Sequence, residues 1–200
     1  SITRSKTMIT KPVETISTAL YGTNNVLKLA MKKKSKSVVY ISSMEMYGTY
    51  TEPRFVDEKD IGYLDPLAVR SNYPESKRMC ENMCIAYLTE YNVPVKIIRL
   101  SQTFGAGILP DENRIFAQIA KSIINCDNII LHTKGLSCVN FCYTRDAVCA
   151  IFTVMLKGNN GEAYNVVNEE SHMTIAEMCE MLCNKLTSGK SKVVFEISEN

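Results

Sequence analysis

Two short β-branched runs, Ser37-Val38-Val39-Tyr40-Ile41-Ser42 and Val93-Pro94-Val95-Lys96-Ile97-Ile98-Arg99-Leu100, constrain this chain more than any other feature. Neither alternates apolar with polar residues, so each is expected to be a strand covered on both faces, as in a parallel sheet between helices. Segments of helical periodicity surround them. Pro12 opens one in which Val13, Ile16, Leu20, Leu27 and Ala30 recur at helical intervals. Tyr73 opens another, with Pro74 at the first helical position and Met79, Met83, Cys84, Ala86, Tyr87 and Leu88 on its apolar face. Helix, strand, helix, strand in that order implies βαβ crossovers, and the fold class expected is α/β, a doubly wound parallel sheet.

The remainder reads in the same style. Ser1 to Lys11 is polar and without periodicity, as in a loop, and Thr49 to Asn72, rich in Pro, Asp and Glu, reads as a long functional loop. Ser101 to Gly107 is expected to be a glycine-containing loop able to approach a ligand closely. Helices are expected over Ile115 to Ile124, Arg145 to Leu156 and Thr174 to Leu186, the last with Thr174 as N-cap and Glu177 completing a capping box. Short strands are expected over Asn128 to His132, Val139 to Tyr143, Gly161 to Val167 and Lys192 to Ile197.

Composition excludes several classes. At 200 residues, 46% hydrophobic and 22% charged, the chain is long enough to bury a core. Its net charge of +2 argues for neither nucleic acid nor an anionic membrane as partner, and the run Lys32-Lys33-Lys34-Ser35-Lys36 reads as a solvated loop between a helix and a strand. No apolar run has the length of a membrane span and no signal-peptide pattern opens the chain, so a cytoplasmic protein is expected. Cys80, Cys84, Cys142, Cys149, Cys179 and Cys183 sit in apolar segments and are expected to be buried thiols; no metal site is expected.

Two places carry chemistry. In Tyr73-Pro74-Glu75-Ser76-Lys77 a helix puts a phenol and an ammonium on one face, and a neighbouring cation favours the phenolate, turning a poor base into a useful one. In Ser42-Ser43-Met44-Glu45-Met46-Tyr47-Gly48, hydroxyls and a carboxylate collect at the C-terminal end of a buried strand, where open α/β sheets place ligands.

Together with Ile98-Arg99-Leu100 leading to Phe104-Gly105, Phe141-Cys142-Tyr143-Thr144-Arg145-Asp146, and Gly161-Glu162-Ala163-Tyr164-Asn165-Val166, these stretches resemble the extended short-chain dehydrogenase/reductase family of nucleotide-sugar epimerases, dehydratases and decarboxylases. The resemblance implies a Rossmann-like fold, NAD as cofactor and a nucleotide-sugar as substrate. It implies that Tyr73 is the base that takes a proton from a sugar hydroxyl, that Lys77 holds the nicotinamide ribose, and that Ser43 hydrogen-bonds the reacting oxygen. Ser42, Leu100 and Thr103 join Tyr73 and Lys77 as implied cofactor contacts. Glu45, Phe104 and Arg145 are implied substrate contacts, with Glu45 also catalytic, and Arg145 is open to a second reading as a helix-start ion pair. Met44 stands where water-eliminating members carry an aspartate, and a thioether donates no proton.

The family's glycine-rich turn for the pyrophosphate is absent from these residues, so a partial chain is expected. Its expected division is residues 1–105 and 137–157 for cofactor binding, and 106–136 and 158–200 for substrate binding. A homodimer through the Tyr/Lys helix is also implied. Three functional readings stay open: an epimerase or related enzyme working by transient oxidation, a sugar-acid decarboxylase using Glu45 and Arg145, and a folded non-catalytic fragment.

Overall fold

The computed structural model describes residues 2–52, 54–107, 109, 112 and 114–197. In chain order its elements are helices α1 (Ser5–Thr10) and α2 (Pro12–Lys33), strand β1 (Val38–Ser43), helix α3 (Asn72–Tyr91), strands β2 (Val95–Leu100) and β3 (Gln102–Phe104), helix α4 (Ile115–Asn125), strands β4 (Ile129–Leu131), β5 (Cys138–Val139) and β6 (Phe141–Tyr143), helix α5 (Thr144–Lys157), strands β7 (Ala163–Val166) and β8 (Met173–Thr174), helix α6 (Ile175–Leu186) and strand β9 (Val193–Phe195). They fall into two compact units, residues 1–101 with 147–166, and residues 102–146 with 167–200. Among the described residues no helix is long and apolar enough to cross a membrane.

The first unit is organised by a three-stranded parallel sheet in the order β1-β2-β7. β2 is the middle strand, and every residue from Val95 to Arg99 is buried. That double burial is why its sequence does not alternate. Leu27 and Ala30 of α2 and Cys84 of α3 pack with Val93, Val95 and Ile97 into one core. α2 and α3 both end on a residue in the left-handed region, Lys34 (φ 51°) and Asn92 (φ 55°), whose N–H closes back on the last turn. Lys32 and Lys33 occupy the last turn of α2, at the negative end of its dipole.

The second unit holds parallel pairs β3–β6 and β4–β9 and an antiparallel pair β5–β8. Its core gathers Ile119 of α4, Ile129 and Leu131 of β4, Phe141 of β6, and Met178, Cys179 and Cys183 of α6. The capping box of α6 forms as expected: Glu177 N–H donates to Thr174 Oγ1 at 3.1 Å, and Thr174 N–H donates to Glu177 Oε2 at 2.8 Å.

Several expectations are corrected. The N-terminal segment is not all loop: α1 forms there because Met8 is 2% exposed and its carbonyl accepts from Asn72 Nδ2 at 2.8 Å. On α2 the buried positions of the first half are Thr15 and Ala19, while Val13 and Ile16 face outward. α3 begins at Asn72, so Pro74 is its third residue; a missing N–H is harmless through the whole first turn. Met79 is exposed, as is Cys149, while Cys80, Cys84, Cys142, Cys179 and Cys183 are buried. Within the loops expected from sequence, Thr49 pairs with Tyr63, Val69–Ser71 forms a 3-10 turn, and residues 102–104 form β3. By contacts, β7 groups with the first unit through its pairing with β2, and β3 and β6 group with the second through their pairing with each other.

Candidate active site

β1 ends at Ser43, and the chain passes at once into a 3-10 turn, Met44–Tyr47, whose N-cap is Ser43, its Oγ accepting from Glu45 N–H at 3.3 Å. In register, Ser43 lies beside Leu100, the last residue of β2. Tyr73 and Lys77 come to this edge from α3, both largely buried at 8% and 6% exposure. Lys77 reaches under the sheet edge, where its Nζ donates to the Ile41 carbonyl at 2.7 Å and lies 5.0 Å from the Tyr40 ring centre and 5.7 Å from that of Tyr73. Ser42 is buried at 3% exposure, and its Oγ has no hydrogen-bond partner among the described residues.

Six of the expected site residues, Ser42, Ser43, Glu45, Tyr73, Lys77 and Leu100, therefore belong to the first unit, at the C-terminal edge of its sheet or on α3. Thr103, Phe104 and Arg145 belong to the second unit. There Thr103 pairs in register with Cys142, the Phe104 ring packs edge-on at 5.4 Å from that of Phe141, and Arg145 is exposed in the first turn of α5.

Electrostatics at the edge depart from the simple expectation. Burial pushes the Tyr73 phenol above its ordinary range; the Ser43 hydroxyl opposes that shift, the Glu45 carboxylate adds to it, and the Arg70 guanidinium opposes it. Burial lowers Lys77, with Cys80 and Glu81 acting the other way. Proximity of an ammonium does not by itself lower the phenol here, because both groups have lost water and the neutral form of each gains.

Three arginines that the sequence reading assigned no role frame the site. Arg70, from the 3-10 turn before α3, places Nη2 2.8 Å from Glu45 Oε2. Arg78 donates to the carbonyls of Met46 (2.7 Å), Tyr47 (3.3 Å) and Gly62 (2.8 Å). Arg99, 7% exposed, meets Glu81 through Nε and Nη2, the shortest contact being 2.7 Å, and donates through Nη1 to Tyr47 Oη at 2.8 Å and to the Glu58 carbonyl at 2.7 Å. Tyr47 Oη in turn donates to Asn165 Oδ1 at 2.7 Å. The signal for Arg99 was present in the sequence: a charge inside an unalternating apolar run has to find a partner. Gly48 closes the same loop at φ 75°, where an added Cβ would lie 2.3 Å from the Tyr63 carbonyl oxygen.

Residues 2–168 match the NAD-dependent epimerase/dehydratase family. The chain belongs to that family. Among its curated relatives, the UDP-N-acetyl-alpha-D-glucosaminuronate decarboxylase of Bacillus cytotoxicus is 30% identical over 197 residues, covering 94% of this chain and 58% of the relative. UDP-glucuronic acid decarboxylase 1 of Danio rerio is 28% identical over 184 residues, covering 92% of this chain and 43% of the relative. The chain thus spans about half the length of these relatives. The UDP-glucose 4-epimerase of Thermotoga maritima, solved with UDP-glucose, shares the fold at a TM-score of 0.84 and 18% identity, over 98% of this chain and 62% of that one. The family is NAD-dependent, and its α/β Rossmann fold is the one observed. The unpartnered, buried Ser42 hydroxyl and the buried Lys77 ammonium fit the polar end of such a cofactor: they are donors inside the sheet edge, where an apolar ligand would leave them unsatisfied.

Arg99→Met, which strands a buried Glu81, is expected to cost about 3–5 kcal/mol. Pairing it with Glu81→Leu is expected to recover much of that loss, because the double variant leaves no unpaired charge. Urea unfolding of the two variants beside the parent measures both; equal losses in single and double variants would contradict a partnered charge as the reason.

Proposed function

We propose that this chain carries the sugar-oxidising centre of an NAD-dependent nucleotide-sugar epimerase or related enzyme, one that works by transient oxidation of a sugar hydroxyl. The observation that supports this reading most is the meeting of Tyr73 and Lys77 on α3 with Ser42 and Ser43 at the end of β1. Tyr73 Oη takes the proton of the sugar hydroxyl, and the Ser43 hydroxyl holds the same oxygen as its bond order changes. Lys77, already anchored on the Ile41 carbonyl, keeps one or more donors for the cofactor ribose, with Ser42 and Leu100 at the same end of the paired strands β1 and β2. When bound, NAD supplies the two-electron acceptor and returns the pair later in the cycle. In this reading the first unit is the cofactor side and the second, with Phe104 and Arg145, the substrate side.

Because burial holds the Tyr73 phenol high, the working phenolate becomes more abundant as pH rises, and turnover is expected to increase through the neutral and mildly alkaline range. In the whole protein, Tyr73→Phe is expected to lower turnover of a UDP-sugar by about 10²–10⁴-fold. NAD binding, read by fluorescence titration, should stay close to the parent's. Turnover retained by Tyr73→Phe would remove Tyr73 from the role of base, and a protein that binds no NAD would favour the non-catalytic reading.

A decarboxylase is the second reading, favoured by the names of the curated relatives and by Glu45, a carboxylate beside Tyr73 preceded by a methionine that donates no proton. Release of carbon dioxide from UDP-glucuronate decides it: release establishes the decarboxylase, and an epimerised uronate with none establishes the epimerase.

A second copy of the chain is the proposed protein partner, through α2 and α3. Val13, Tyr21, Val26 and Leu29 on α2 and Met79 on α3 are exposed apolar side chains that such an interface would cover. Sedimentation at micromolar concentration is expected to give a dimer, and a monomer would count against this arrangement.

A further inference from the structure

Glu45 and Tyr73 present a problem that the catalytic reading does not address. A carboxylate close enough to raise the phenol opposes the second negative charge that a tyrosine base must carry. Arg70 is the side chain placed to resolve it. Its Nη2 lies 2.8 Å from Glu45 Oε2, and its Cζ lies 5.9 Å from the centre of the Tyr73 ring. One guanidinium therefore touches the carboxylate and overlooks the phenol, and its planar fork holds a fixed direction better than a lysine would. Glu45 and Arg70 have side-chain exposures of 37% and 39%, partly withdrawn from bulk water, so charge interactions here are screened less than at an open surface.

We propose that Arg70 is a positioning residue of this site: it ties Glu45 back as a paired carboxylate and supplies the positive charge that lets Tyr73 lose its proton beside it. The inference rests on Tyr73 being the proton acceptor, and its measurement is separate from turnover. Other groups face the phenol and stay constant in the test. Lys77 comes from α3 itself, with Nζ 5.7 Å from the ring centre, and Ser43 comes from β1. Tyr40 of β1 lies below Lys77, which stands 5.0 Å from its ring centre.

The arrangement also separates Arg70 from the other framing arginines. Arg78 and Arg99 are committed to backbone carbonyls and, for Arg99, to buried Glu81. Arg70, from a three-residue turn directly before α3, places its guanidinium on the Glu45 carboxylate. Its loss should disturb charge at Tyr73 more than the packing of the sheet.

The test is fluorine NMR of the fluorotyrosine-labelled chain, in which the fluorinated phenol ionises at a lower pH than tyrosine and stays within the range where the protein is folded. The resonance lost in Tyr73→Phe assigns the signal. Arg70→Gln is expected to move its ionisation midpoint upward by about one pH unit. Arg70→Lys should move it by less, and adding Glu45→Gln to Arg70→Gln should bring it back toward the parent value. Glu45→Gln alone should move it downward, and this arm decides the matter if Arg70→Gln does not fold. A Tyr73 midpoint unmoved by Glu45→Gln, or by a folded Arg70→Gln, would overturn the proposal. Loss of turnover in Tyr73→Phe bears on the base assignment and leaves these shifts unaffected, so the two ideas fail separately.

Discussion

The buried pair between Arg99 and Glu81 is the contact on which the rest of the site depends. Arg99 is on the middle strand of the sheet and Glu81 on the helix that carries Tyr73 and Lys77, and their shortest separation is 2.7 Å at 7% and 9% side-chain exposure. Two charges taken out of water cost several kcal/mol each unless every remaining donor finds an acceptor. Arg99 offsets that cost by also donating to Tyr47 Oη and the Glu58 carbonyl, and Tyr47 passes the chain of bonds on to Asn165 of β7. One guanidinium thereby ties together β2, α3, the turn after β1, the loop beyond it and β7. Slipping β2 by one residue would turn Arg99 to the other face and leave Glu81 alone, so the pair selects a register as much as it adds stability.

The sheet edge beside Tyr73 and Lys77 takes its character from that rigidity. Lys77 on the Ile41 carbonyl and Arg78 on those of Met46 and Gly62 fasten α3 to the strand end at two successive residues. Tyr73 is held one helical turn away, in an environment dry enough to push its phenol above the ordinary range and the Lys77 ammonium below its own. Such a site has little electrostatic slack. The balance among Ser43, Glu45 and Arg70 around the phenol then matters more than the spacing of tyrosine and lysine.

Much of this was legible beforehand, for definite reasons. Of the two unalternating runs, β2 is buried from Val95 to Arg99 as expected, whereas β1 buries Ser42 alone and leaves Ile41 45% exposed; the capping box of α6 announced itself by a threonine three residues before a glutamate. Tyr73, Lys77, Ser42 and Ser43 stood in short motifs whose chemistry is local. Other features had no local signal. α1 depends on Met8 burying itself and on a bond from Asn72, 64 residues away, and β3 exists through its pairing with residues 141–143. Val13 and Ile16 kept helical spacing yet face outward, while Leu27 and Ala30 of the same expected stripe are buried; in the first half of α2 the packing of α3 covers Ala19 instead, whose carbonyl accepts from Cys80 Sγ.

By itself the sequence determined the α/β alternation, the parallel pairing of its central strands and the family, because each is written in periodicity or in motifs a few residues long. Tertiary structure alone decided which arginine faces which carboxylate, that β7 completes the sheet of the first unit, and that burial raises the Tyr73 phenol despite the nearby ammonium. Those outcomes turn on desolvation and on contacts between residues far apart in the chain, quantities that have no value until the chain has folded.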